Sequence, residues 1–406
     1  MTKRALILVE GGSNMKPYIQ AARPLALQPI VLSADPAQYD YLAADNFEII
    51  RVDTGDFDAL IRECSRLRET YGIAGITSAG EDFYATAAKL SQHFKRPGPN
   101  PASIERCCDK FAQRDLLAQA GIPIPHYRLG ASAADIENCA VQIGFPVILK
   151  PAVGSGSTGV RLCRNLDELA EHAAYLLDET HTLHSPPRIL IEEFVTGPHY
   201  TADLMGKNFI AIAALTFDRP PHFVYLECAY PAVLTDEEHE RVADISLRSL
   251  EALGLGWGPT NVELRWTTRG PVVIEVNPRL AGCSAPKLVR LAYGIDLVTE
   301  HIKLAIGEEW NLRKNSSETA AMRFLVADRD GTLNWVDGEC RAADVPGVAE
   351  VDLSIQPKTA IVRKGDYRDI IGHVIAASPT RAGTEAILQR AVGLINWSII
   401  PFSAPG

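Results

Sequence analysis

Strand and helix alternate through the first hundred residues, and few folds accept that order. Residues 5–9 and 29–33 are apolar runs of strand length. Residues 56–71 carry Phe57, Leu60, Ile61, Cys64 and Leu67 at helical spacing, and 75–77 and 81–94 repeat the strand–helix pair. Such a series closes as a parallel sheet with right-handed crossovers. Gly11-Gly12 lacks the full G-x-G-x-x-G spacing, so a nicotinamide dinucleotide site is not expected. Pro97-Gly98-Pro99-Asn100-Pro101 then marks a break.

A helical stretch over 103–120 stops at Gly121, with Pro123 just beyond. A second α/β unit starts near Pro125. Residues 145–150 read as a buried strand ending in Lys150, followed by the loop Gly154-Ser155-Gly156-Ser157-Thr158-Gly159. A helix over 167–177, a strand over 188–195, two strands within 200–217 and a helix over 236–253 come next. From 319 onward the chain reads as a small β-rich unit. Strands 321–327 and 332–336 flank Asp328-Arg329-Asp330-Gly331, and strand 371–376 precedes helix 381–392.

With 406 residues the chain is expected to form two or three lobes. A net charge of −10 argues against nonspecific binding to nucleic acid or anionic membrane. The start of the chain is too short in its apolar run for a signal peptide, and no run approaches membrane-spanning length. The eight cysteines are scattered without a CxxC pair, so buried reduced thiols in a cytoplasmic protein are expected rather than zinc ligands or disulfides. His126, His172, His181 and His184 read as surface residues.

The chemistry concentrates late in the chain. Residues 260–264 and 271–276 read as strands joined by the turn Thr267-Thr268-Arg269-Gly270. That hairpin can set Glu263 beside Glu275, with Asn277 two residues on and facing the same way. Two carboxylates and an amide oxygen suit Mg²⁺. Arg279 continues the alternation as a planar fork for phosphate or carboxylate. Residues 154–159 can fold backbone N–H groups around phosphates, although no Lys-Ser/Thr follows as in a Walker A loop. Lys150 ends an apolar strand, and a buried lysine needs an anionic partner.

In this order the pieces resemble the ATP-grasp superfamily over nearly the whole chain: Asp109-Lys110 with Arg114, then 146–151 and the Gly/Ser loop, then 191–197, then Glu263, then Glu275-Val276-Asn277-Pro278-Arg279. The resemblance implies an α/β ATP-grasp fold with an α+β lid. Residues 1–122 would form a Rossmann-like preceding domain, 123–205 the lid, and 206–406 the catalytic lobe with the β-rich C-terminal unit. It implies that Lys110 and Lys150 contact ATP phosphates under a lid of Gly154, Ser155, Gly156, Ser157, Thr158 and Gly159. Glu192, Glu193, Phe194 and Val195 would hold adenine. Glu263, Glu275 and Asn277 would bind Mg²⁺, or Mn²⁺, and Arg279 would stabilise the transferred phosphoryl group.

The implied activity is ligation of a small-molecule carboxylate to an amine through an acyl phosphate, with a homodimer as a common assembly. Two departures matter. His199 stands where many members use an acid on the ribose hydroxyls. Cys283 stands where biotin carboxylases have a glutamate, and Arg279-Leu280-Ala281-Gly282-Cys283-Ser284-Ala285-Pro286 resembles the amino-acid ligase branch, which usually has glycine at that position. Gly282 and Cys283 are therefore substrate candidates, as are Glu81, at the end of a parallel strand, and Glu227 and Tyr230. A purine-type carboxylase or formyl ligase, or a non-catalytic nucleotide-binding scaffold, is the alternative.

Overall fold

A computed structural model describes residues 3–39, 47–178 and 188–402. Its first unit is a four-stranded sheet ordered Glu48–Arg51, Leu27–Ser33, Lys3–Val9, Tyr71–Thr77, parallel throughout. The central strand Lys3–Val9 is buried from Ala5 to Val9, which is why it reads as an unbroken apolar run. The short strand Glu48–Arg51 gave no such signal. Helices Met15–Ala22, Phe57–Leu67 and Glu81–His93 accompany the sheet.

The expected helix over 103–120 is two helices, Pro101–Cys108 and Lys110–Gln119. Asp109 separates them. Its backbone is extended, and its carboxylate accepts the N–H groups of Phe111 and Ala112, both at 3.0 Å. Lys110 thereby becomes the first residue of a new helix rather than the middle of an old one.

A second four-stranded sheet runs Tyr127–Gly130, Ile189–Glu193, Val147–Pro151, Arg161–Cys163, antiparallel throughout. Helices Ala133–Ile143 and Leu166–Leu177 close its apolar core through Ile136, Ala140, Leu169 and Ala173. The largest sheet has eight antiparallel strands, from Gly270–Asn277 and Pro259–Thr267 through His199–Met205, Asn208–Phe217 and Tyr225–Tyr230 to Thr319–Val326, Ile370–Ser378 and Val348–Leu353. His199–Met205 pairs with both Asn208–Phe217 and Pro259–Thr267, so this strand just before position 206 belongs to the large sheet.

The C-terminal segment is not a self-contained β unit. Three of its strands continue the large sheet, and Gly331–Asp337 pairs instead with Ala360–Ile361 and Asn396–Ile400 in a three-stranded sheet. Thr319–Val326 and Gly331–Asp337 therefore diverge at Asp328–Gly331 rather than forming a hairpin. The N–H of Ala327 turns to the carbonyl of Asp369, at 2.9 Å.

Candidate active site

The hairpin Pro259–Thr267 and Gly270–Asn277 has the expected turn and sets the two carboxylates side by side. Glu263 lies directly opposite Glu275, and Asn261 opposite Asn277. A bulge follows Glu263 and re-aims the strand there. These residues face a cavity also lined by Lys110, Lys150, Glu192–Val195, His199, Arg279, Gly282, Cys283 and most of the Gly/Ser loop.

Lys110 Nζ lies 2.8 Å from Glu275 Oε1 and also donates to the carbonyl of Gly154. Burial alone would raise the Glu275 pKa, but Lys110 and Lys150 outweigh it and hold the carboxyl well below its ordinary value. Burial pulls Lys110 down, while Glu275 and Glu81 more than reverse that, so the ammonium stays charged. Glu275 is thus an ionised donor at neutral pH, fit for a divalent cation.

Behind this pair sits a second charged cluster. Arg114 is fully buried and gives its Nε to Glu192 Oε1 at 2.6 Å and another nitrogen to the carbonyl of Ile274. Lys150 Nζ lies 2.6 Å from Glu192 Oε2. Burial lowers the Lys150 pKa despite this partner, and the two cations lower that of Glu192 against its own burial. The Glu192 carboxylate is therefore turned toward the two cations, not free for adenine. Glu193 likewise binds Arg269 at 2.9 Å and the N–H of His126 at 3.2 Å. A strand-end hinge in these residues has only backbone groups to offer.

His199 opens its strand inside the cavity, with its ring stacked on Phe217 at 4.8 Å between centroids. Its Nε2 lies 3.3 Å from Glu263 Oε2 but outside hydrogen-bond geometry, so both ring nitrogens lack a hydrogen-bond partner. Burial lowers its pKa and keeps the ring neutral. Arg279 gives Nε and an η nitrogen to Glu81 Oε2, each at 3.0 Å. Burial raises the Glu81 pKa, with Arg279 opposing. The first-turn glutamate of helix Glu81–His93 thus joins the site through Arg279.

Cys283 and Ser284 adopt φ of +54° and +61°, and Cys283 is an exposed thiol at the cavity. This left-handed turn explains why glycine would suit position 283. Helix Ala285–Tyr293 begins immediately after, with Pro286 in its first turn.

Glu227 and Tyr230 do not reach the cavity lining. Glu227 pairs across strands with Arg323, 2.7 Å away. Tyr230 is buried, donating to Asp203 Oδ2 at 2.5 Å, and Asp203 in turn accepts from Asn261 at 3.0 Å. Alternation along Tyr225–Tyr230 could not reveal which face the sheet would cover. His126 is exposed, but His172 is buried and its Nε2 meets the carbonyl of Gly159 at 2.9 Å. It faces inward because it lies on the packed stripe of helix Leu166–Leu177. His181 and His184 lie outside the described residues. All eight cysteines are free, yet only Cys64, Cys107, Cys163 and Cys228 are buried.

Phe217, Tyr225, Arg265 and Tyr367 also line the cavity and carried no local motif. Among the described residues no cluster of three His, Cys, Asp or Glu side chains forms, and Glu263, Glu275 and the Asn277 amide are hard oxygen groups that the hairpin brings to the cavity.

A Gly-rich loop, two lysines and paired carboxylates around one cleft between antiparallel sheets define an ATP-grasp architecture. The chain belongs to the ATP-grasp ligases: residues 109–313 match the family described as carbamoyl-phosphate synthase L chain, ATP binding domain. Residues 323–399 match L-amino acid ligase C-terminal domain 2. Uncharacterized protein y4rH of Sinorhizobium fredii is 56% identical over 402 residues, 99% of this chain and 84% of that protein. Carnosine synthase 1 of Homo sapiens is 28% identical over 330 residues, 75% of this chain but only 40% of that larger protein. The fold is shared with an L-amino acid ligase from Bacillus licheniformis, with a TM-score of 0.82 at 19% identity, covering 98% of this chain and 100% of the other.

Proposed function

We propose that this ATP-grasp ligase activates an amino acid or related acid as an acyl phosphate and couples it to the amine of a second amino acid, releasing ADP and phosphate. The observation that carries the reading is the ionised Glu275 held by Lys110 opposite Glu263 in the cavity that Arg279 and the Gly/Ser loop also line. The L-amino acid ligase domain over 323–399 supports the choice of amino acids. Cys283, which has no carboxylate, gives no support to bicarbonate chemistry.

Phosphoryl transfer between anions needs charge neutralisation and positioning more than acid–base groups. Lys110 and Lys150 would meet the phosphates, and residues 154–159 would cover them. Backbone groups of 192–195 would border adenine, and the unsatisfied His199 nitrogens would meet the ribose hydroxyls. Glu263, Glu275 and Asn277 would hold Mg²⁺, or Mn²⁺ through the same oxygens. The ion would supply positive charge between phosphate oxygens. Arg279 would stabilise the phosphoryl group as an acid oxygen bonds to the γ-phosphorus and the bond to ADP breaks. The amine nitrogen then bonds to the acyl carbon, phosphate leaves, and a proton passes to solvent. In this reading residues 1–122 are the preceding domain and the lid starts at 123, while strand His199–Met205 joins 206–406 in the catalytic lobe rather than the lid.

A pairwise amino-acid screen with MgATP tests the proposal, with products weighed by mass spectrometry. ADP and phosphate should appear together with a dipeptide or amino-acid conjugate. Glu275→Ala should lower turnover by about 10²–10³-fold. AMP with pyrophosphate would refute the mechanism, and phosphate release driven by bicarbonate alone would favour carboxylation.

A further inference from the structure

We propose that Tyr367, supplied by the C-terminal unit, is a positioning residue that latches the Gly/Ser loop over the phosphates and sets how long nucleotide stays enclosed. The inference rests on the ligase reading and assigns a task to a part of the chain outside the lid. The backbone N–H of Tyr367 donates to the carbonyl of Gly156 at 3.4 Å. Its ring lies on the same glycine: a Cβ there would stand 2.6 Å from the ring carbon Cδ1. Gly156 also has φ of +65°, so both space and backbone require glycine at this contact. Tyr367 lines the cavity while 54% exposed, which is unlike a core anchor.

The segment presenting the ring is held from below. Asp369 is buried and accepts the N–H groups of Lys364 at 2.7 Å and Gly365 at 2.8 Å. Buried Asp366 accepts the N–H of Arg368 at 3.0 Å and pairs with its guanidinium. Gly365, at φ of +74°, packs directly against the His222 ring. The carbonyl of Asp369 fastens this platform to the end of strand Thr319–Val326 through Ala327. A braced tyrosine therefore meets a glycine-rich loop. Two further ties hold the loop, Lys110 on Gly154 and His172 on Gly159. Tyr367 is the one of the three that comes from the C-terminal unit.

Stopped-flow release of a fluorescent MgATP analogue, chased with unlabelled ATP, reads the latch without knowledge of the acid or amine. Tyr367→Ala should speed release roughly ten-fold, and Tyr367→Phe should stay within about two-fold of the parent because the ring contact persists. Gly156→Ala should speed release more in the parent than in the Tyr367→Ala background, where the ring clash is gone and only the strain of the positive φ remains. Release unchanged in Tyr367→Ala, or fully additive effects, would overturn the latch while leaving the ligase reading intact. A parent chain that binds no nucleotide would overturn both.

Discussion

Replacing Glu192 with alanine removes the carboxylate shared by two buried cations, Arg114 at 2.6 Å and Lys150 at 2.6 Å. All three side chains are at least nine-tenths buried, so solvent cannot replace the lost charge. Breaking a buried ion pair by deleting one partner costs about 3–5 kcal/mol, mostly from the charge left behind. For a cooperative unit the size of residues 109–313, that corresponds to a fall in melting temperature of about 6–20 °C. Differential scanning calorimetry of parent and Glu192→Ala measures it. Lys150→Met in the Glu192→Ala background should recover part of the loss, because one uncompensated cation is gone. The pH dependence has a definite sign. The two cations lower the folded-state pKa of Glu192 below its ordinary 4.5. Its stabilisation is complete above pH 4.5 and is lost as pH falls through the lower folded value. The variant should therefore lose less stability than the parent on acidification below 4.5. Equal melting temperatures for parent and variant would refute the assignment of Glu192 to the buried cluster.

Cys283→Gly relieves a left-handed backbone at φ of +54°, and the strain released exceeds glycine's added chain entropy, for a net gain of about 0.5–1 kcal/mol by denaturant titration. The same variant should accept bulkier amines in the pairwise screen, and an unchanged substrate profile would remove Cys283 from the acceptor pocket. Burial raises the Asp203 pKa to about 6, against the opposing hydrogen bonds of Tyr230 and Asn261. Its contribution to stability is complete below pH 3.8 and lost as pH rises through 6, so Asp203→Asn should flatten the stability profile over that interval by about 3 kcal/mol. An identical profile would show that Asp203 does not titrate there.

The hairpin and its turn were legible from the sequence, but the turn register alone would set Glu263 opposite Ile274. Glu263 falls opposite Glu275 only through the bulge after Glu263, which no local pattern signals. The parallel first sheet was legible for a different reason, unbroken apolar runs alternating with helical spacing, apart from Glu48–Arg51, whose four residues carry too little pattern. The break at Asp109 was hidden because helical spacing continues on both sides, and only the capping hydrogen bonds distinguish it. Side-chain direction at strand ends was the weakest point. Glu192 is where the motif puts it, but its carboxylate turns to Arg114 and Lys150. Tyr230 faces the core because of a strand pairing with Thr319–Val326 that no local pattern announces. Tyr367 meets Gly156 from far along the chain, a proximity that only the folded topology creates.

The continuity of the eight-stranded sheet limits how this enzyme can be rearranged. Its C-terminal strands are not an appended module. Tyr225–Tyr230 has Asn208–Phe217 on one side and Thr319–Val326 on the other. A chain cut after residue 318 would keep Lys110, Lys150, Glu263, Glu275 and Arg279, yet leave Tyr225–Tyr230 with unpaired backbone groups along one flank, a template for aggregation. Chimeras that exchange substrate preference between relatives would have to carry Thr319–Val326, Ile370–Ser378 and Val348–Leu353 together with the strands they extend. Minimal catalytic fragments and swaps at the boundary between the two matched regions are both closed to this architecture.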